Sequence, residues 1–566
     1  MNIFPHTKKQ WVIVCIVFAA VVLLAAAVFL YQAVWHAGFA ATGDSFFDSP
    51  FIRDKKVLVL VAHPDDEINL AFGVIDAFTQ AGSDVTIAFA TNGDKQTPGA
   101  VRLAEAIRAD ARMGVDKDHI IALGYGDYVV PPYCMSDLNQ VRQSEAGFTQ
   151  TYGGSGIPDY HTCCFGKAAQ YTGANYEADI GHLIRNLRPD IIFTADTDYH
   201  IDHVSLSQSF DRVMGKLLRD EPGYKPTIFK GYCYEYAWYA NDDFYNFLML
   251  KSAVAQWNRA GYNTAFPWEE RVRFPLPAEY LGYTKRSSKL YKVLGEYKSQ
   301  EGLSRAGRML NGDKLFWERR ADVLWADVTA TSGNAVLLQD FLLGDTMEQP
   351  LANCWIPDPE DRQPEIQFTW PAPQPIAELV FYDAPPDAGD IRRVQITDDT
   401  GYQVIYTLPR GDGMPCRLAW DGSPTRRLTI RILESEGDTI GFSEIEILPR
   451  REQETQWIHL LDPDMNFLYE YPCPADQPFT LLLYGYPAAP GQATVTIAKE
   501  SSTDVVAEIA YDGYSFSIPA LPAGRYRALV SGDGCTAEAV LRVGDSMLLQ
   551  RVYRFAERML SKVFTD

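Results

Sequence analysis

Positive charge is in short supply in this chain. Its 566 residues hold 51 Lys and Arg against 73 Asp and Glu, a formal net charge of −22. An acidic body of this kind repels polyanions, which argues against nucleic acid as its partner and leaves neutral ligands open. Paired cysteine spacings are missing too. None of the nine cysteines sits in a C-x-x-C pair, so the usual thiolate zinc modules have no footing here. No internal repeat is evident, which removes solenoids and propellers. Histidine is scarce at nine residues, so any clustering of histidines carries information. With 47% hydrophobic and 22% charged residues the chain is globular. Its length exceeds one core and predicts two to four domains.

Charge is absent altogether from Trp11 to Val34, WVIVCIVFAAVVLLAAAVFLYQAV. As a helix rising ~1.5 Å per residue this run spans a ~30 Å hydrocarbon core. Trp11, Tyr31 and Trp35 stand near its ends, with Lys8 and Lys9 before it and Asp44 and Asp48 after it. The pattern predicts an uncleaved anchor with the N-terminus cytoplasmic and the rest extracytoplasmic. A signal peptide cleaved near Ala37, Ala40 and Ala41 is the alternative, giving a secreted protein. Cys15 lies in this run. The others are Cys134, Cys163, Cys164, Cys233, Cys354, Cys416, Cys473 and Cys535. An oxidising compartment permits disulfides among them, and Cys134 with Cys163 or Cys164 is one way to tie down a loop.

Beyond the anchor (1–40), residues 57–67 read VLVLVAHPDDE: a strand apolar enough to be buried on both faces runs into a histidine and three acids. A helix over 68–82, a strand over 84–91, a helix over 101–114 and a strand over 119–124 follow. Such βαβαβ alternation predicts an α/β domain, a parallel sheet with helices on both faces, over 50–325. A Gly-, Tyr- and Cys-rich insert occupies about 128–173. Helix (176–187) and strand (191–195) then resume and lead into DTDYHIDH, 196–203. From 326 to 450 the texture changes to short alternating strands, among them EIQFTW (365–370), AELVFYD (377–383) and FSEIEIL (442–448), which predict a β-sandwich. A second, immunoglobulin-like sandwich is expected over 451–544. Residues 545–566 form an amphipathic helix with a cationic stripe, Arg551, Arg554, Arg558 and Lys562.

Both acid-and-histidine clusters follow apolar strands, and ligands of open α/β sheets bind beyond the strands' carboxyl ends. A catalytic zinc takes three ligands from His, Asp or Glu and keeps one position for water, whose pKa it lowers from ~16 toward ~7. His63 and Asp66, three apart across a turn, can face one metal, and His203 can supply the third ligand. Ferrous iron suits the same donors. Asp65, free of the metal, can act as general base. His200 can polarise the substrate carbonyl and protonate the leaving amine. Asp202, between the histidines, can orient one of them. His161 and His182 sit in no motif and read as structural.

AHPDDE at 62–67 together with HIDH at 200–203 resembles the PIG-L (LmbE-like) zinc-dependent N-deacetylases. TNGD (91–94), Arg102 and Glu105 spaced R-x-x-E, LGYGD (123–127) and RPD (188–190) agree in order. The resemblance covers about 55–300. It implies a Rossmann-like fold, one zinc held by His63, Asp66 and His203, Asp65 as base, and His200 as acid or oxyanion stabiliser. It also implies that Arg102 and Asp127 contact a sugar, and that the reaction removes acetyl from an N-acetylglucosamine-type glycan or glycoconjugate. The stretch from TATSGNAV (329–336) to GFSEIEIL (441–448) resembles discoidin-type (F5/8 type C) jelly rolls. Two rival readings stand beside the deacetylase: a carbohydrate-binding surface protein with an idle α/β domain, and a deacylase of another amide or an ester.

Overall fold

The computed structural model describes residues 8–36 and 45–544, apart from 131–136, 199, 235–237, 240–253, 256–265, 281–287, 305–312, 344–350, 385–388, 410–413, 465–469 and 503. The expected C-terminal helix and Cys134 lie outside the described residues.

The first helix, α1 (Lys8–His36), carries the uncharged run and leaves it bare: Phe18 is 69% and Leu23 70% exposed. Among the described residues, no helix is long and apolar enough to cross a membrane. The transmembrane helix expected from the sequence therefore does not stand as a described feature.

After a short α2 (Ser45–Asp48), the α/β unit runs β1 (Lys56–Val61), α3 (Asp66–Ala71), α4 (Val74–Gln80), β2 (Asp84–Thr91), α5 (Gly99–Arg112), β3 (Ile120–Tyr125), α6 (Tyr160–Phe165), α7 (Gly173–Leu187), β4 (Ile191–Ala195), α8 (Ile201–Asp220) and β5 (Thr227–Gly231). A small ribbon, β6 (Trp238–Tyr239) and β7 (Val254–Ala255), precedes β8 (Val272–Pro275), α9 (Lys289–Leu294) and β9 (Asp313–Arg319). The sheet order is β3-β2-β1-β4-β5-β9-β8. The first five strands are parallel, β9 runs antiparallel to them and β8, antiparallel to β9, runs with them again, so the sheet is mixed rather than wholly parallel. An antiparallel edge on a parallel sheet is common, because a returning chain pairs antiparallel without a crossover helix.

The helix expected over 68–82 is two helices. Gly73 takes φ +75° between them, and a Cβ there would lie 2.6 Å from Leu276 Cδ2. The chain turns at the one residue that tolerates both constraints. Helices do not cover both faces throughout. Phe193, Phe229, Phe274 and Phe316 share one face, as the register dictates. Phe46, Phe51 and Trp457 pack onto it, with Phe46 to Trp457 ring centres 5.2 Å apart. Trp457 opens the last β-unit, so that unit serves as a cover for the sheet.

Between Asp327 and Pro449 five-stranded and three-stranded antiparallel sheets enclose Trp355, Phe368, Phe381 and Phe442. The strands expected at 365–370, 377–383 and 442–448 lie within Glu365–Gln374, Ile376–Asp383 and Phe442–Pro449. Three- and five-stranded sheets follow between Trp457 and Val543 around Val495, Phe516 and Leu541.

Candidate active site

Strand order reverses between β1 and β4: the chain moves outward to β2 and β3 on one side and to β5 on the other. Loops leaving two such neighbours diverge and open a crevice at their carboxyl ends. Leu60 pairs with Thr194, so His63 and Asp196 leave the sheet side by side. The two charged motifs meet here for that reason.

The first loop is held tightly. His63 N–H donates to Asp66 Oδ2 at 2.9 Å, and Asp66 N–H to the His63 carbonyl at 3.1 Å. Asp65 takes φ 127°, and its N–H donates to Glu67 Oε2 at 2.9 Å. Arg102 reaches across from α5, donating to the Pro64 carbonyl at 2.7 Å and the Gly93 carbonyl at 3.1 Å and pairing with Asp65 Oδ1 at 3.1 Å. Burial pushes Glu67 up to about 8, although a hydrogen bond from Tyr297 opposes the rise.

His63 Nδ1 lies 2.9 Å and His203 Nε2 3.0 Å from the same oxygen, Asp66 Oδ2. The far nitrogen of each ring faces another carboxylate: His63 Nε2 is 3.1 Å from Asp202 Oδ2, and His203 Nδ1 is 2.7 Å from Asp198 Oδ2. Burial alone would lower His63, yet Asp202 and Asp66 raise it to about 10; His203 is likewise raised by Asp198 and Asp66 against the pull of burial. Burial would raise Asp66, but the two histidines hold it well below the usual carboxylate range. The acids here thus favour positive charge beside the two rings, which a divalent ion can supply in place of ring protons. Two imidazoles and a carboxylate converging on one point, each ring braced from behind by an acid, fit such an ion. Cys233, buried, also lies near Asp66 and His203, and His200 near His63 and His203.

His200 caps α8, its Nδ1 accepting the Asp202 N–H at 3.3 Å. Burial, with His63 and His203 beside it, pushes it down to about 4, so the ring is neutral. Asp127 is buried, accepting from Thr91 Oγ1 at 2.8 Å and Lys95 N–H at 3.2 Å, with Oδ1 3.9 Å from His63 Nε2. His161 pairs with Asp179 and His182 with Tyr160, both away from the crevice.

The structure thus gathers His63, Asp65, Asp66, Asp127, His200, Asp202 and His203. Arg102 is there too, but its donors go to the backbone and to Asp65. Sequence reasoning missed Asp198, five residues before His203 in the quoted motif, where the spacing was a usable signal. It also missed Tyr128 and Cys233, which carry no local signature.

Residues 58–214 match the family model described as PIG-L: GlcNAc-PI de-N-acetylase. The α/β unit carries a PIG-L domain. A stretch of 73 residues, 13% of this chain, is 32% identical to a probable N-acetylglucosaminyl-phosphatidylinositol de-N-acetylase of Dictyostelium discoideum. The chain spans only 28% of that relative's length. Among solved structures it is similar to the family 32 carbohydrate-binding module of Clostridium perfringens NanJ in complex with galactose, at 12% identity and a TM-score of 0.18, covering 21% of this chain and 91% of that one. An F5/8 type C domain from Bacteroides fragilis gives 12% identity and a TM-score of 0.18, covering 22% and 91%.

Proposed function

We propose that the PIG-L domain is a zinc-dependent hydrolase removing acetyl from an N-acetylated amino sugar in a glycan or glycoconjugate. The observation that carries this reading is the pair of histidine nitrogens, His63 Nδ1 and His203 Nε2, meeting at one oxygen of Asp66, with Asp65 next to it in the chain and paired with Arg102. His63, Asp66 and His203 would hold the ion. When bound, zinc supplies Lewis acidity that makes water nucleophilic near neutral pH.

The chain's own groups do the rest. Asp65, aimed by Arg102 and by its own N–H bond to Glu67, takes a proton from the attacking water. That proton is the one the departing amine requires once the amide C–N bond breaks, giving acetate and a free amino sugar. His200 acts on the carbonyl oxygen through the Tyr128 hydroxyl, 3.0 Å from its Nε2. Asp202 and Asp198 fix the histidine rings. Arg102, its Nη1 and Nη2 turned to the Pro64 and Gly93 carbonyls and to Asp65, acts on the sugar through Asp65, and Asp127 lies close enough to the histidines to meet the sugar's inner edge.

α1 is the anchor in this reading, with Lys8 and Lys9 cytoplasmic and the domain outside. Its support is the run of bare apolar side chains, which water does not favour. The experiment is acetate release from N-acetylglucosamine oligomers by the full chain in detergent, with metal quantified and membranes alkali-washed in the same preparation. Release that needs metal and falls at least ~10³-fold in Asp65→Asn is expected. An active Asp65→Asn, or a metal-loaded protein that releases no acetate, sinks the deacetylase reading. Recovery in the alkaline wash sinks the anchor.

A further inference from the structure

Tyr128 follows Asp127 on the loop after β3 and adopts φ +60°. A bulky residue in that region is strained and persists only where its surroundings impose it. Here they do. Its N–H donates to both oxygens of Asp202, at 3.0 and 3.2 Å, the same carboxylate that braces His63. Lys95 Nζ sits 4.0 Å from its ring centre. Its hydroxyl lies 3.0 Å from His200 Nε2, the two rings 5.2 Å apart. Yet the side chain is not sealed in: Tyr128 is 41% exposed, among neighbours that are nearly all buried. It meets the crevice at His200.

The direction of the Tyr128–His200 bond follows from the helix cap. His200 Nδ1 accepts the Asp202 N–H, and a ring nitrogen that accepts carries no proton, so the ring's proton sits on Nε2. Nε2–H then donates and the phenol oxygen accepts. A phenol that accepts keeps its own O–H to give. The loop therefore carries a strained, exposed residue whose hydroxyl stands beside His200 with its own O–H still to give.

We propose that Tyr128 donates this hydrogen bond to the acyl oxygen of the substrate, beside His200, where negative charge grows as water adds to the carbonyl. No proton leaves the phenol, so the hydrolysis balances as before. The assignment rests on the deacetylase reading above.

The test uses Tyr128→Phe, His200→Ala and the double variant in the full chain. Phenylalanine keeps the ring and the backbone bonds to Asp202, so metal content and melting temperature are expected to stay at wild-type values. Removing one such donor typically costs ~10²-fold in kcat. Tyr128→Phe is expected to lose about that, with KM changed less than ~3-fold, since the bond forms in the transition state. Affinity for a phosphonamidate mimic of the tetrahedral species falls in parallel. The decisive comparison is the double variant against His200→Ala. A phenol that only holds His200 has nothing left to hold there, whereas a donor still costs at least ~10-fold. No further loss in the double variant, or a KM effect alone, overturns the proposal while leaving the deacetylase intact. A wild-type chain without acetate release removes both.

Discussion

At the residue scale, the meeting of His63, Asp66 and His203 was legible because they lie at the ends of two apolar strands, and the reversal of strand order brings those ends together. Where a side chain spends its hydrogen bonds was not legible. Arg102 reads as a cation for a sugar, but its partners, the Pro64 and Gly93 carbonyls, come from two loops that only the fold makes neighbours. Gly93 is needed for that approach, since a Cβ there would sit 2.2 Å from Arg102 Nη1. Asp198 carries the prediction at this scale. It accepts from His203 Nδ1 at 2.7 Å and from the His200 N–H at 2.8 Å, fixing the ring tautomer that turns Nε2 toward Asp66. Asp198→Asn keeps the shape and removes the charge. Zinc affinity, measured by competition with a chelator, is expected to weaken ~10–100-fold. An unchanged affinity would mean that Asp198 merely shapes the loop.

At the scale of elements, the alternation of strands and helices was readable from periodicity, and so were most strands of the first sandwich. The break at Gly73 was not, because the apolar spacing continues across it; Leu276, far away in sequence, packs where a Cβ would otherwise sit. A similar hidden constraint closes the strand Ile376–Asp383. Its last residue is a buried acid whose Oδ1 accepts only at the strand's exit, from the Ala384 N–H at 3.0 Å. Burial raises this carboxyl from 3.8 to about 7. Below about pH 4 it is protonated whether folded or not and costs nothing. As pH climbs from 4 to 7 the unfolded chain ionises it freely while the folded chain resists, so stability drains across that window and the full penalty stands above it. Three units correspond to up to about 4 kcal/mol. Asp383→Asn is therefore expected to raise the melting temperature at pH 8 and leave it unchanged at pH 3.5. A gain of equal size at both pH values would place the effect in packing instead of charge.

At the scale of the whole molecule, the sequence divides cleanly into an α/β unit and two β-units, and nothing in it says whether they are beads on a string. The apolar alternation of β4 and β5 is satisfied by any cover, helix or sheet, so the identity of the cover is invisible until the fold is known. The contacts argue for one body. Arg319 of β9 pairs with Glu446 of the first sandwich at 3.1 Å, both side chains under 5% exposed. Ser45 Oγ donates to the Ile458 carbonyl at 3.0 Å and accepts its N–H at 2.7 Å, tying the segment after α1 to the last β-unit. Trp457, fully buried, stacks on Tyr486 at 4.6 Å and meets Phe46, Phe51 and Phe274 within 5.4 Å. Phe193 and Phe229 connect that cluster to β4 and β5, the strands that present the second motif. Trp457→Ala leaves a large cavity at this junction and is expected to cost ~3–5 kcal/mol. If the last β-unit is part of the core, that loss falls on the α/β unit as well. Acetate-releasing activity and the bulk unfolding signal then shift to lower temperature together. A variant whose β-unit melts early while activity survives to the wild-type temperature would show the cover to be dispensable, and the molecule to be beads after all.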